Sequence, residues 1–106
     1  MPKYLIEVSY TADGARGLAK DGGSKRLAAA RTLMESLGGK IEAFYFAFGE
    51  HDAIVIADMP DNVSAAAGAL ALAGSGAVTS RTTVLLTPQD LDQAVKKSGT
   101  YTPPGR

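Results

Sequence analysis

The sequence predicts one α+β domain with the element order β-α-β-β-α-β and a short helix at its end. Three observations lead to this prediction. The spacing of apolar residues changes repeatedly between the period of a strand and that of a helix, glycine and proline stand where it changes, and 106 residues suit one domain. We expect that domain to span residues 1–98, with a core of 3–87.

The first part of the chain predicts a strand, a loop and a long helix. Lys3 to Tyr10 alternates between apolar and polar residues, as a half-buried strand does. Residues 11–23 are rich in glycine and charge, which favours a loop with at most one helical turn. Ser24 is suited to cap the helix that follows, which the pair Gly38-Gly39 should end.

The middle of the chain predicts a hairpin and a second helix. Residues 41–48 are short and aromatic, and residues 53–57 are aliphatic, so both favour strands joined by the turn between them. Asp61 is a good N-cap for an alanine-rich helix that ends near Gly74.

The last part predicts one more strand and a terminal helix. Residues 78–86 are rich in β-branched side chains and favour a strand. Thr87 and Pro88 then begin a helix over residues 88–98 with a thin apolar stripe, which we expect to dock loosely on its own domain or on a partner. Residues 99–106 form a tail that contains proline and glycine.

This order is that of ferredoxin-like folds, in which two helices cover one face of a four-stranded antiparallel sheet. The other face should be polar if it met water, yet residues 41–48 and 53–57 are largely apolar on both faces. Leaving several large apolar side chains in water would cost free energy comparable to the stability of a domain. We therefore expect a homodimer or higher homo-oligomer formed through the open face of the sheet.

Composition narrows the classes of function. Lys plus Arg and Asp plus Glu both number 11, and no basic cluster is present, so we expect neither nucleic acid nor membrane as a partner. Without cysteine there is no disulfide, thiolate nucleophile or cysteine-ligated metal. No apolar run reaches membrane-spanning length, so the default expectation is a cytoplasmic protein, and the residues predict no metal or cofactor.

His51 and Asp52 are the candidate catalytic residues. His51 is the only histidine, and histidine is the side chain whose ordinary pKa lies near neutral pH. It could act as a general base oriented by Asp52 or by a carboxylate from elsewhere, although neighbours on an extended chain point to opposite faces. We favour the competing interpretations, in which His51 is a solvated turn residue and Asp52 caps turn amides. No serine or threonine shows the partners of a hydrolase triad.

An aromatic cluster is the candidate ligand site. The cluster comprises Tyr4, Tyr10, Phe44, Tyr45, Phe46 and Phe48, and it lies opposite a helix of small residues. The candidate ligand-binding residues among them are Tyr4, Tyr10, Phe44 and Phe46, with Arg81 as a cation for an acidic ligand. Large residues facing small ones leave room for a small apolar or aromatic molecule. Close packing of helix on sheet is the competing interpretation, and Arg81 is also suited to protect an edge strand from aggregation.

Several short motifs, in the same order along residues 2–104, resemble the GYD domain family. They are Pro2-Lys3-Tyr4-Leu5, Ser9-Tyr10-Thr11 with Gly14, Gly22-Gly23-Ser24, Leu37-Gly38-Gly39, Phe44-Tyr45-Phe46-Ala47-Phe48-Gly49, Asp52 and Asp58-Met59-Pro60-Asp61. The resemblance implies a ferredoxin-like fold of the dimeric α/β-barrel type. Gly49-Glu50-His51-Asp52 differs from the family pattern, which has tyrosine where this chain has His51.

Three functions remain open. The leading one is a homo-oligomeric module that binds a small molecule in an aromatic pocket. The second is a cofactor-free monooxygenase-like or isomerase-like enzyme with His51 as base, which rests on analogy of fold. The third is a structural assembly module.

Overall fold

The computed structural model describes all 106 residues and has one open antiparallel sheet of four strands. The strands are β1 (Lys3–Tyr10), β2 (Lys40–Phe46), β3 (Ala53–Asp58) and β4 (Val78–Leu85). The helices are α1 (Ala12–Asp21), α2 (Gly23–Ser36), α3 (Asn62–Gly74) and α4 (Pro88–Lys96). The strand order β2-β3-β1-β4 confirms the predicted ferredoxin-like arrangement.

The core lies between one face of the sheet and the helices. Along β1 the side chains of Tyr4, Ile6 and Val8 are buried, whereas those between them are half-buried. Met34 from α2 and Met59, which follows β3, complete this cluster. The alternation in β1 therefore directs its apolar residues toward the helices, as the period of two predicts.

The prediction of a loop over residues 11–23 is wrong, because α1 fills most of it. Thr11 caps this helix through a hydrogen bond that the Gly14 backbone N–H donates to its side chain at 3.2 Å. Gly14 lies directly against the carbonyl of Ala77, the residue before β4. Glycine lowers helix propensity, but here it permits close packing that a larger residue would prevent.

The predicted cap at Ser24 is also wrong. Helix α2 begins one residue earlier, at Gly23, and its N-cap is Gly22, which makes no side-chain hydrogen bond. Gly22 is at the same time the C-cap of α1, with φ at +82°. The two helices therefore share one left-handed glycine, and no room remains for a capping loop.

The other predicted helix starts are confirmed. The Asp61 side chain accepts a hydrogen bond from the Ser64 N–H at 2.8 Å, and this bond lowers the pKa of Asp61. Thr87 and Asp90 form a reciprocal capping box at the start of α4.

Helix α4 does not pack on its own domain. None of its residues is buried, and Val95 in its apolar stripe is 77% exposed. The chain has a radius of gyration of 16.9 Å, whereas a compact domain of this length would have about 13 Å. The expectation that this helix docks on its own domain is therefore wrong, and docking on a partner stays a prediction.

The sheet face opposite the helices carries an ion cluster at one end. The Lys3 ammonium lies 2.9 Å from Asp58 and 3.2 Å from Glu42. Hydrogen bonds to these carboxylates raise the pKa of Lys3. At this end of the face the charges are paired within the chain.

Candidate functional site

An aromatic cleft opens where the α1–α2 junction meets the end of β2. Its volume is about 450 Å³, and it is lined mainly by apolar residues: Tyr10, Ala15, Leu18, Gly23, Phe46, Ala47, Phe48 and Asp52. Gly23 makes room for the ring of Phe46, which would lie 2.9 Å from a β-carbon at that position. The cleft therefore depends on the same glycine-rich junction that allows α1 and α2 to follow each other directly.

Two of the predicted aromatic ligand-binding residues lie in this cleft, and a third lies behind it. Tyr10 and Phe46 line the cleft, and Phe46 is 43% exposed. Phe44 packs edge-on against Phe46, with ring centroids 5.2 Å apart, and faces a small internal cavity of about 50 Å³. Phe48, which sequence reasoning did not select, is fully exposed at the cleft wall.

The structure does not bring Tyr4 and Arg81 into the cleft. Tyr4 is fully buried beneath α3, and its hydroxyl donates a hydrogen bond to Asn62 Oδ1 at 2.6 Å. Arg81 lies on β4, opposite Glu7 in the strand register, on the face of the sheet away from the helices. Tyr4 is thus a core residue, and Arg81 belongs to a different recess.

That second recess is polar and has a volume of about 130 Å³. No hydrophobic residue lines it; its residues are Glu7, Ser9, His51, Thr79, Ser80 and Arg81. The antiparallel pairing of β1 with β4 sets Glu7 opposite Arg81 and Ser9 opposite Thr79. The recess lies toward the edge of the sheet, because β4 is an outer strand.

His51 is held between two residues of β1. Its Nδ1 lies 3.3 Å from Ser9 Oγ, and its Nε2 lies 3.4 Å from Glu7 Oε2. A carboxylate only accepts, so the tautomer that fits has the proton on Nε2 and leaves Nδ1 to accept from the Ser9 hydroxyl. The imidazole is 18% exposed, so the expectation of a solvated turn histidine is wrong.

Asp52 does not orient His51. Its Oδ2 accepts a hydrogen bond from the backbone N–H of Tyr10 at 2.8 Å, which fits the predicted role as a cap of backbone amides. The carboxylate beside His51 is Glu7, from elsewhere in the chain. His51 and Asp52 therefore serve opposite faces, as the alternation along an extended chain predicts.

Sequence reasoning missed Glu7 and Ser9 as partners of His51. The spacing of two along β1 did place them on one face, but their distance to His51 depends on strand pairing. Val8 lies opposite Ala53 in the β1–β3 register, and the Asp52 N–H donates to the Val8 carbonyl at 2.8 Å. This pairing brings the turn before β3 over the end of β1.

The fold and its two recesses define a small ferredoxin-like α+β domain with a candidate site on each side of the sheet. The family model described as GYD domain matches residues 4–95, and the chain belongs to the GYD domain family. A comparison with curated proteins finds no significant match. None of the four helices has the length and apolar character needed to cross a membrane.

Proposed function

We propose that this domain is a homo-oligomeric module that binds a small apolar or aromatic molecule in the aromatic cleft. The observation that carries the proposal is the exposure of Phe46 and Phe48 beside Tyr10 in an opening of about 450 Å³. Small-molecule sites are concave and mostly apolar, with a few polar groups that orient the ligand.

The cleft has this composition. Its walls offer aromatic and aliphatic side chains, and Asp52 is the only charged residue among them. Tyrosine combines an apolar ring with a polar hydroxyl, so Tyr10 suits a ligand that is aromatic and carries one polar group. Burial of the Phe48 ring under a ligand would contribute about 1.5–3 kcal/mol of favourable transfer free energy to binding.

Self-association through the open sheet face is the second part of the proposal. Leu5, Ile54 and Ile56 are only half-buried on this face, and Tyr45 beside them is largely exposed. Only 12 of 106 residues are buried, so one copy covers little of its apolar surface. A second copy against this face would add the missing burial.

Binding in the cleft is tested with the unmodified protein and one matched pair of variants. Native mass spectrometry of freshly purified protein should show a retained small molecule, and an anilinonaphthalene sulfonate probe should fluoresce in the cleft. Phe48→Ser should abolish most of that fluorescence, whereas Leu70→Ser, at another largely exposed apolar position, on α3, should not. Equal fluorescence from the two variants would refute a ligand site in this cleft.

Self-association is tested by light scattering at micromolar concentration. The unmodified chain should have at least the mass of a dimer, and Ile56→Lys on the open face should give a monomer. Val63→Lys, on the exposed side of α3, is the matched control and should keep the larger mass. A monomeric unmodified chain would refute this part of the proposal.

A second candidate function is that of a cofactor-free enzyme with His51 as general base. The observation that favours it is the position of Glu7, whose carboxylate lies beside Nε2 and leaves Nδ1 as the proton acceptor. A carboxylate that fixes the tautomer of the imidazole is a common arrangement for a histidine that acts as general base.

The orientation of His51 is tested by ¹⁵N NMR of the single imidazole. The spectrum of the neutral ring should show a protonated Nε2 and an unprotonated Nδ1, and Glu7→Gln should reduce this preference. Asp52→Asn is the matched control and should leave the tautomer unchanged, because Asp52 bonds Tyr10 instead. A ring that carries its proton on Nδ1 would refute the proposed role of Glu7.

A further inference from the structure

We infer that the polar recess on the open sheet face binds a small carboxylate, with Arg81 as its main contact. The inference deepens the second candidate function, because it names the class of substrate that would lie beside His51. Binding does not require that turnover occur, so the two can be tested apart.

Arg81 has no anionic partner within the chain. It lies opposite Glu7 in the β1–β4 register, where opposite charges usually pair, yet no carboxylate oxygen lies within 4.0 Å of its guanidinium. Glu7 is instead directed toward His51, 3.4 Å from its Nε2. At the other end of the same face Lys3 contacts two carboxylates.

The donors in the recess match a carboxylate. An ionised carboxylate only accepts hydrogen bonds, and a guanidinium presents two parallel N–H groups to it. The hydroxyl of Thr79 lines the same recess and can donate to such a ligand, whereas the Ser9 hydroxyl already donates to His51 Nδ1. Because no apolar residue lines the recess, a purely apolar ligand would find no complementary surface there.

The recess is small, with a volume of about 130 Å³. A compact anion, such as a carboxylate with a few further atoms, suits a site of this size. The ligand class is therefore a small carboxylic acid, with inorganic phosphate as the competing anion of similar size.

The charges around the recess predict how binding depends on pH. The titratable or charged groups that line it are Glu7 on β1, Arg81 on β4 and His51 from the turn before β3. With neutral His51, the charges of Glu7 and Arg81 cancel, whereas protonated His51 leaves one positive charge in excess. Affinity for a carboxylate should therefore be higher when His51 is protonated than when it is neutral.

Sodium acetate is the probe, added to the ¹⁵N-labelled protein at constant ionic strength. The amide signals of Ser9, His51 and Arg81 should shift and saturate at a millimolar dissociation constant, which corresponds to about −4 kcal/mol. Arg81→Gln should weaken binding by about 10-fold or more. Arg81→Lys should weaken it less, because lysine keeps the positive charge but lacks the two parallel N–H donors of the guanidinium. Arg31→Gln is the matched control, an exposed arginine on α2 without an ion pair.

Each outcome decides the inference. Saturable shifts that depend on Arg81 and not on Arg31 support it. Absence of shifts at these amides, unchanged affinity in Arg81→Gln, or an equal loss in Arg31→Gln overturns it. Tighter binding of phosphate than of acetate overturns the ligand class. If acetate binds but no proton transfer is detected from a panel of small carboxylic acids, the enzymatic candidate fails and the binding site stands.

Discussion

Replacement of Gly14 by alanine tests how closely α1 packs on the sheet. A β-carbon there would overlap the Ala77 carbonyl oxygen and lie 2.8 Å from the carbonyl carbon. These are backbone atoms, so α1 itself has to move. The movement strains the contacts of Thr11, whose N–H and hydroxyl both donate to the Ala77 carbonyl, at 2.9 and 3.1 Å.

The size of the effect follows from two opposing terms. Overpacking of this kind costs about 1–3 kcal/mol. Alanine also recovers about 0.5–1 kcal/mol because it favours the helix more than glycine does. We therefore expect Gly14→Ala to lower the free energy of unfolding by about 0–2.5 kcal/mol, and the melting temperature by up to roughly 10 °C for a chain of this size.

Gly17→Ala is the matched control in the same helix. A β-carbon at Gly17 meets no atom within 4 Å, so only the propensity term remains, and this variant should be more stable by about 0.5–1 kcal/mol. Urea unfolding followed by circular dichroism measures both variants. Gly14→Ala should also weaken probe binding in the aromatic cleft, because α1 supplies Ala15 and Leu18 to its wall. If Gly14→Ala were as stable as Gly17→Ala, the close contact with Ala77 would be refuted.

Three further predictions concern a cap, a buried hydrogen bond and the terminal helix. Asp61→Ala should lower the melting temperature at neutral pH, since the Ser64 N–H loses its acceptor. Because folding lowers the pKa of Asp61, the stability that this carboxylate adds is present above the unfolded value of 3.8 and is lost as the pH falls below it. The melting temperatures of the two proteins should therefore converge in acid, and a constant difference would contradict the cap. Tyr4→Phe should lower the free energy of unfolding by about 0.5–1.5 kcal/mol in urea, because Asn62 loses its buried donor, and an unchanged value would show that the bond contributes nothing. Val95→Asp should change the stability of the dilute chain by less than about 0.5 kcal/mol, and a larger loss would mean that α4 packs on its own domain.

Local patterns in the sequence were sufficient for most of the fold. The alternation in β1 predicted its bounds, Lys3 to Tyr10, because the side chains of a strand point in turn to core and solvent. Asp61 and Thr87 identified two helix starts, since a capping side chain bonds an amide only three residues away. Family motifs along residues 2–104 implied the same fold; the match over residues 4–95 confirms the family, and the strand order confirms the fold.

Other features depend on contacts between residues far apart in the chain, and only the tertiary structure determined them. The glycines of residues 11–23 predicted a loop, but Gly14 is helical, and Ala77, far along the chain, occupies the space that a side chain at this position would need. Tyr4 and Tyr10 look alike in the alternation of β1, yet Tyr4 is buried under α3 and Tyr10 borders the aromatic cleft. Pairing of β1 with β3 and β4 brings Glu7 to His51 and sets Arg81 opposite Glu7. Local propensity acts over a few residues, whereas strand register brings the side chains of a site together. The sequence alone therefore determined most helices and strands, and the tertiary structure determined which side chains meet.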